Sequence, residues 1–252
     1  MAVDTDRLKV VILAAGVGSR LGFAVPKPLI PLATGVSIIE QQLGNLSHYV
    51  EREDVMLVVG YKKEFIMEAF PRNVFVYNER YSVTNTSKSL VRGLARCAGH
   101  DVLWMNGDVV FDHEIVRQLL ASPDSAVTVL PAQVGEEEVK YKTTRDGVVC
   151  EISKHVADAE GEAVGINLVR SRDLAMLVQC LELCDDQDYF ERAIELAIAE
   201  KMTVRAVDVS AHRCIEVDFP EDLRRANELF AGAQAIADSD RAAGPARRAS
   251  VA

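Results

Sequence analysis

Residues 10–32 read VVILAAGVGSRLGFAVPKPLIPL. The apolar run Val10–Ala14 has the character of a buried parallel strand. It leads straight into Ala15-Gly16-Val17-Gly18-Ser19-Arg20, a turn of small residues. Pro26, Lys27 and a second apolar run follow. A strand that ends in a glycine loop leaves backbone N–H groups with no side chain in front of them. Such groups form a nest for anionic oxygens. Arg20 and Lys27 add formal charge beside that nest. From Arg7 to Ile39 there are four basic residues and no Asp or Glu, in a chain with 38 acids and 28 bases. The local bias therefore departs from the composition, and a nucleoside triphosphate is the guest it suits.

Two common phosphate motifs do not fit. Leu21 stands where the third glycine of G-x-G-x-x-G belongs, and Gly22 comes one place late. The G-x-x-x-x-G-K-[ST] of a P-loop is absent as well, so dinucleotide oxidoreductases and P-loop NTPases are disfavoured. The pattern L-A-A-G-x-G-x-R-L-G-x-x-x-P-K-P-L instead resembles the signature loop of nucleotidyltransferases of the GT-A-like superfamily. Five residues separate Arg20 from Pro26. Sugar-1-phosphate enzymes usually carry a longer insertion there. The short spacing resembles the cytidylyltransferase branch, which acts with CTP on phosphocholine, 2-aminoethylphosphonate or inositol-1-phosphate. Three more segments are similar to that branch: Asn78–Leu90, Met105–Phe111 and Ile215–Leu223. The resemblance covers roughly residues 8 to 230.

The residues suggest roles of their own. Asp108 follows an apolar strand, and an acid at a strand's carboxyl end faces the ligand crevice of an α/β sheet. Nucleotidyl transfer needs a carboxylate there to hold a divalent cation against phosphate. The family resemblance implies the pair Asp108 and Asp218 as ligands of Mg²⁺. Both have structural alternatives: Asp108 as a turn former, Asp218 as a helix N-cap ahead of Pro220. Asp112 reads as a helix cap and Asp222 as a first-turn acid. Arg20 and Lys27 suit the stabilisation of charge on the α-phosphate and the departing pyrophosphate. Lys154 stands where the family places another active-site lysine, or is an exposed strand-end residue.

The resemblance implies a nucleotide site of Leu13, Ala14, Ala15, Gly16, Gly18, Ser19, Arg20 and Lys27, joined by Thr84, Asn85, Ser89, Asn106 and Gly107. It implies acceptor contacts at Asn78, Tyr81, Glu162 and Asp188, with Glu162 or the Asp188-Tyr189 pair placed to meet an ammonium group. The expected partners are CTP and a small phosphate- or phosphonate-bearing acceptor, with Mg²⁺ as cofactor. A sugar-1-phosphate nucleotidyltransferase using UTP or GTP and a non-catalytic nucleotide sensor remain the alternatives.

Along the chain, strands and helices alternate. Strands are expected at Val55–Val59, Val74–Tyr77, Asp101–Met105 and Ala126–Pro131. Helices are expected at Ser37–His48, Lys62–Ala69, Thr86–Cys97 and Glu114–Ala121. Alternation of this kind predicts an α/β, Rossmann-like fold with a mainly parallel central sheet and helices on both faces. After Gln133 the pattern changes. Val139–Thr144, Val148–Ser153 and Gly165–Arg170 predict a small antiparallel extension on the acceptor side. Helices Arg172–Leu183 and Tyr189–Glu200, strand Thr203–Asp208 and helix Glu221–Phe230 complete the pattern. The expected organisation is one domain over residues 1–230, with a nucleotide part near 8–132 and an acceptor part near 133–230. The aperiodic stretch 231–252 is expected to be a disordered tail.

A 252-residue chain that is 49% hydrophobic can bury one large core. No apolar run is long enough to span a bilayer, and the N-terminus lacks the apolar segment of a secretory signal. Five scattered cysteines suit reduced thiols and a cytoplasmic setting. Cys180 and Cys184 lack a second metal-ligand pair and read as helix-face packing. A net charge of −10 argues against nucleic-acid partners. A homodimer is compatible with the sequence, which does not set the oligomeric state.

Overall fold

The computed structural model describes residues 7–132, 134–136 and 138–242. Strand β1 (Leu8–Ala14) lies at the centre. It pairs in parallel with β2 (Val55–Val59) on one side and β4 (Asp101–Asn106) on the other, and β3 (Val74–Tyr77) extends the β2 side. The register Leu13↔Asn106 and Ala14↔Val59 brings the carboxyl ends of β4, β1 and β2 level. Beyond β4 comes β9 (Gly161–Val169), antiparallel to both β4 and β6 (Ser125–Leu130). Strand β10 (Val204–Asp208) closes that edge in parallel with β6. The hairpin of β7 (Lys140–Thr143) and β8 (Val149–Ser153) joins through β7 to the start of β9. This is the expected mainly parallel sheet with an antiparallel extension.

Residues of β1 alternate between two cores, as the two-residue period of a strand requires. Val11 and Leu13 pack with Trp104, Leu90 and Leu94 of α3 (Thr86–Leu94), and with α5 (Ser171–Leu183) and α6 (Phe190–Ala199). Trp104 meets Phe190 edge-on at 5.9 Å. Val10, Ile12 and Ala14 pack on the other face with α1 (Ile38–Leu46), α2 (Lys63–Ala69) and α4 (Glu114–Leu120). Each fully buried aliphatic side chain contributes about 1.5–3 kcal/mol. Helix α1 is started by a capping box: Glu40 Oε2 accepts the Ser37 backbone N–H at 2.6 Å, and Ser37 Oγ accepts the N–H of Glu40.

A third apolar cluster decides where the site forms. Leu21, Ile30, Leu32 and Ile38 from the signature region pack on Val110, Ile215, Val217, Ala226 and Phe230. Val110 and Ile215 belong to a two-stranded antiparallel sheet of β5 (Val109–Phe111) and β11 (Cys214–Glu216). Ala226 and Phe230 belong to α7 (Pro220–Ala242). The cluster draws the late segment around Asp218 onto the early loop.

Three features differ from the sequence reading. The three-residue strands β5 and β11 are too short to show a period. Strand β9 begins at Gly161, four residues before the expected Gly165, because Ala163 and Glu162 pair with Val129 and Leu130 of β6. Helix α7 continues past Phe230 to Ala242. Its alanine-rich second half lacks an apolar stripe but has high helix propensity. Residues 243–252 of the expected tail lie outside the described residues. The five cysteines form no disulfide with one another, and Cys180 and Cys184 are buried in the core. No helix among the described residues is long and apolar enough to cross a membrane.

Candidate active site

A cleft of about 670 Å³ opens at the carboxyl ends of β1 and β4. On the side of the glycine loop it is lined by Leu13, Ala14, Ala15, Gly16, Gly18, Arg20, Lys27, Asn106, Gly107 and Asp108. Gly18 has φ +60°, and a Cβ there would stand 2.8 Å from Lys27 Cβ. A side chain at that position would meet both backbone strain and the lysine stem. Gly107 is packed as tightly: a Cβ would stand 2.8 Å from the Leu13 carbonyl oxygen. Ser19 opens a short 3₁₀ turn, Ser19–Leu21. Its side chain lies outside the described residues.

Lys27 starts a second 3₁₀ turn, Lys27–Leu29, after Pro26. Its Nζ donates to Asp108 Oδ2 at 2.7 Å and to Asp218 Oδ1 at 2.5 Å. The lysine side chain is only 11% exposed. Burial pulls its pKa down, but the two aspartates outweigh burial and hold it above the ordinary lysine value. Asp108 and Asp218, far apart in sequence, are thus brought to one cation. Asp218 does not cap α7. That task falls to Asp222, whose Oδ2 accepts the N–H groups of Phe219 at 2.9 Å and Asp218 at 3.2 Å. Asp112, expected as a helix cap, instead pairs with Arg213 through Oδ1 at 2.6 Å and Oδ2 at 3.0 Å, tying β5 to the approach of β11.

A divalent cation fits the donor set. Asp108 Oδ1 is buried and has no hydrogen-bond partner, and Asp108 and Asp218 already share one positive group. Among the described residues no cluster of three or more His, Cys, Asp or Glu is arranged around a metal position. Two carboxylates suit Mg²⁺, which takes its remaining oxygens from water and phosphate.

The rest of the cleft is acidic. Glu138, Glu162, Glu191 and Glu216 line it together with Lys154, Tyr189 and Arg225. Burial, with the Glu138 charge adding, pushes the Glu162 carboxyl up. Burial pushes Glu191 up to about 7, with the Lys154 charge pulling the other way. Glu191 Oε2 and Glu138 Oε2 are buried without hydrogen-bond partners. Burial and the nearby charges of Asp108 and Asp218 push Glu216 upward, while its Oε1 accepts from the Gly165 N–H at 2.9 Å. The Lys154 ammonium lies 5.2 Å from the Tyr189 ring centre.

Other expected contacts have structural work. Asn78 is fully buried and does not line the cleft. Its Nδ2 donates to Thr84 Oγ1 at 3.1 Å and Ser89 Oγ at 3.0 Å, and its Oδ1 accepts the Arg80 N–H. It ties the loop that carries Tyr81, Thr84 and Asn85 to Ser89 of α3, and all four line the cleft. Asn85 also caps α3. Asp188 is not at the cleft: its Oδ2 accepts the Asp185 N–H at 2.8 Å within its own turn. Glu138 and Glu191 were not singled out by the sequence, where each reads as an ordinary surface acid.

Fold and site together define a nucleotidyltransferase: a glycine loop, a basic pair and Asp108 at the carboxyl ends of parallel strands, met by Asp218 from the segment after β11. Residues 10–212 match the MobA-like NTP transferase domain, and the chain belongs to that family. It is similar to the CMP-5'-(3-aminopropyl)phosphonate synthase of Streptomyces rubellomurinus, 31% identical over 250 residues, which cover 90% of this chain and 39% of that protein. It is also similar to the bifunctional protein GlmU of Methanococcus maripaludis, 36% identical over 115 residues, covering 42% of this chain and 26% of that one. The chain spans well under half the length of these relatives. Among solved structures, the CTP:phosphocholine cytidylyltransferase from Streptococcus pneumoniae superposes with a TM-score of 0.73 at 19% identity, covering 89% of this chain and 99% of that one. The inositol-1-phosphate CTP transferase from T. maritima gives 0.74 at 18%, covering 89% and 95%. At those identities the likeness is one of fold.

Proposed function

We propose that this protein transfers a cytidylyl group from CTP to a small phosphonate or phosphate that carries an amine, releasing pyrophosphate, with Mg²⁺ as cofactor. The observation that carries the reading is Lys27 held between Asp108 and Asp218 beside the Gly16–Gly18 loop. The half of the domain formed by residues 8–132 holds the nucleotide, and residues 133–230 supply most of the acceptor side. The acceptor's anionic oxygen attacks the α-phosphorus. A new O–P bond forms as the bond to pyrophosphate breaks, and both electrons of that bond leave with pyrophosphate. No base is needed, because a phosphonate oxygen is already anionic at neutral pH. Loop N–H groups and Arg20 orient the phosphate chain. Lys27 balances charge on the α-phosphate as it moves to the leaving group. When bound to Asp108 and Asp218, a divalent cation would neutralise phosphate charge during that displacement.

The amine follows from the acids. Glu138, Glu162 and Glu191 crowd the acceptor side with carboxyl groups, and one oxygen each of Glu138 and Glu191 lacks a partner. A cationic head group would supply both hydrogen-bond donors and a balancing charge, whereas a neutral polyol would supply donors alone. The relative in Streptomyces rubellomurinus is named for an aminopropylphosphonate product, which supports the same class. The test is pyrophosphate release from each of four NTPs against aminoalkylphosphonates, phosphocholine, inositol-1-phosphate and hexose-1-phosphates, with products identified by mass spectrometry. CTP with an amine-bearing acceptor is expected to dominate. A UDP- or GDP-sugar as main product would replace this reading with a sugar-1-phosphate activity. No turnover with any pair would leave a nucleotide-sensing module.

A further inference from the structure

Gln42 lies on α1 among Ile38, Ile39, Leu43 and Leu46, and it is fully buried. Its Nε2 donates to the Asn106 carbonyl at 2.9 Å and to the Val109 carbonyl at 2.8 Å. These two carbonyls bracket the Gly107–Asp108 turn between β4 and β5. Two acceptors at that spacing require an NH₂ group, which fixes the amide orientation. The cost is visible at the other end: Gln42 Oε1 is buried without a partner. A leucine or methionine would fill the same core position with no unsatisfied oxygen. The amide therefore serves the turn, not the core.

The backbone ties of the turn come from elsewhere. The Gly107 N–H donates to the Leu13 carbonyl at 2.9 Å, and the Val217 N–H donates to the Asp108 carbonyl at 3.0 Å. The Asp108 side chain has one hydrogen-bond partner, Lys27, and its Oδ1 has none. Its direction is thus set by Lys27 and by the backbone that carries it. Neighbouring Gln41 makes a different tie, donating to the Phe111 carbonyl at 2.6 Å at the far end of β5.

We propose that Gln42 is a positioning residue that aims the Asp108 carboxylate for the metal–nucleotide complex by clamping both ends of its turn. The inference rests on the reading of Asp108 as a metal-holding carboxylate. Groups that hold a ligand residue in place typically change metal affinity about 10- to 100-fold when removed. The experiment is Mn²⁺ binding, followed by the resonance of free Mn²⁺, in the presence of α,β-methylene-CTP. The proteins compared are wild type, Gln42→Leu, Gln41→Leu and Asp108→Asn. Gln42→Leu is expected to weaken Mn²⁺ by about 10- to 100-fold, whereas Gln41→Leu lowers thermal stability and leaves Mn²⁺ affinity unchanged. Wild-type affinity in folded Gln42→Leu would overturn the proposal, as would an equal loss in Gln41→Leu. Gln42→Asn, which keeps an amide but shortens its reach, meets the same criterion if Gln42→Leu does not fold. Absence of Mn²⁺ binding in the wild type would instead overturn the metal–nucleotide reading, and this proposal with it.

Discussion

Lys27 Nζ lies 2.5 Å from Asp218 Oδ1, an ion pair between residues 191 positions apart. The same ammonium holds Asp108. In the protein without ligand, the lysine is therefore the counter-ion of both carboxylates that would carry the metal. A divalent cation using those oxygens must displace it, and nucleotide phosphates offer it another anion. Lys27→Ala is expected to act with opposite signs on two measurements. Binding of Mn²⁺ without nucleotide should tighten, because a competing positive charge is gone. Turnover should fall by about 10²–10³-fold, the scale for loss of one oxyanion-stabilising group. Near-wild-type kcat/KM in folded Lys27→Ala would remove the lysine from the chemistry.

Asp218 and Asp222 divide two roles that sequence alone leaves open. Asp218 meets the Lys27 ammonium, and Asp222 accepts the N–H groups of Asp218 and Phe219 just ahead of α7. Asp108→Asn and Asp218→Asn are each expected to abolish metal-dependent activity in a folded protein, since a neutral amide is a poor ligand for a hard cation. Asp222→Asn should lower stability by about 1 kcal/mol, typical of a helix-start interaction, and keep the metal dependence. Calorimetry and metal titration of the three variants separate these outcomes.

The central strand and its loop were legible because Val10–Ala14 of β1 are buried on one face or the other, which produces an unbroken apolar run. The lysine and the aspartates could be named as types of chemistry, but their convergence depends on the third apolar cluster, whose members come from distant segments. Gln42 carries a signal in the sequence: it falls on the stripe of Ile38, Ile39, Leu43 and Leu46, where a polar residue is out of place. The resemblance assigns Asn78 and Asp188 to the acceptor through a pattern of polar loop residues. Such a pattern looks the same whether its side chains face a ligand or, like these two, brace the backbone.

Glu191 makes stability depend on pH. Its carboxyl is shifted from 4.5 to about 7 by burial, against the pull of Lys154. Below the unfolded value both states hold the proton, and the group leaves stability unaffected. As pH rises from about 4.5 to about 7, the unfolded chain releases its proton and the folded protein keeps it, so stability falls across that window. Glu191→Gln removes the loss. The variant's melting temperature should match wild type near pH 4.5, exceed it increasingly up to about pH 7 and keep a constant margin above that. A constant difference across the range would mean that Glu191 does not titrate there.

Arg20 tests whether an exposed ring can prepare a charge for phosphate. Its guanidinium lies 5.3 Å from the centre of the Phe219 ring, next to Asp218 in the chain, and both line the cleft. Ring contact orients the guanidinium without engaging its N–H donors, which leaves them for phosphate oxygens. An exposed cation–π contact is worth about 0.5–1 kcal/mol, so Phe219→Leu should raise KM for the nucleotide about two- to fivefold. The effect should fall on KM and spare kcat, because the ring acts before the transition state forms. Phe219→Tyr should restore the wild-type value. Arg20→Ala removes the charge itself and should cost more. Adding Phe219→Leu to Arg20→Ala should then cost nothing further, since the ring has lost the group it orients. Additive losses in that double-mutant cycle would show that Phe219 touches the nucleotide on its own account, and the orienting role would be given up.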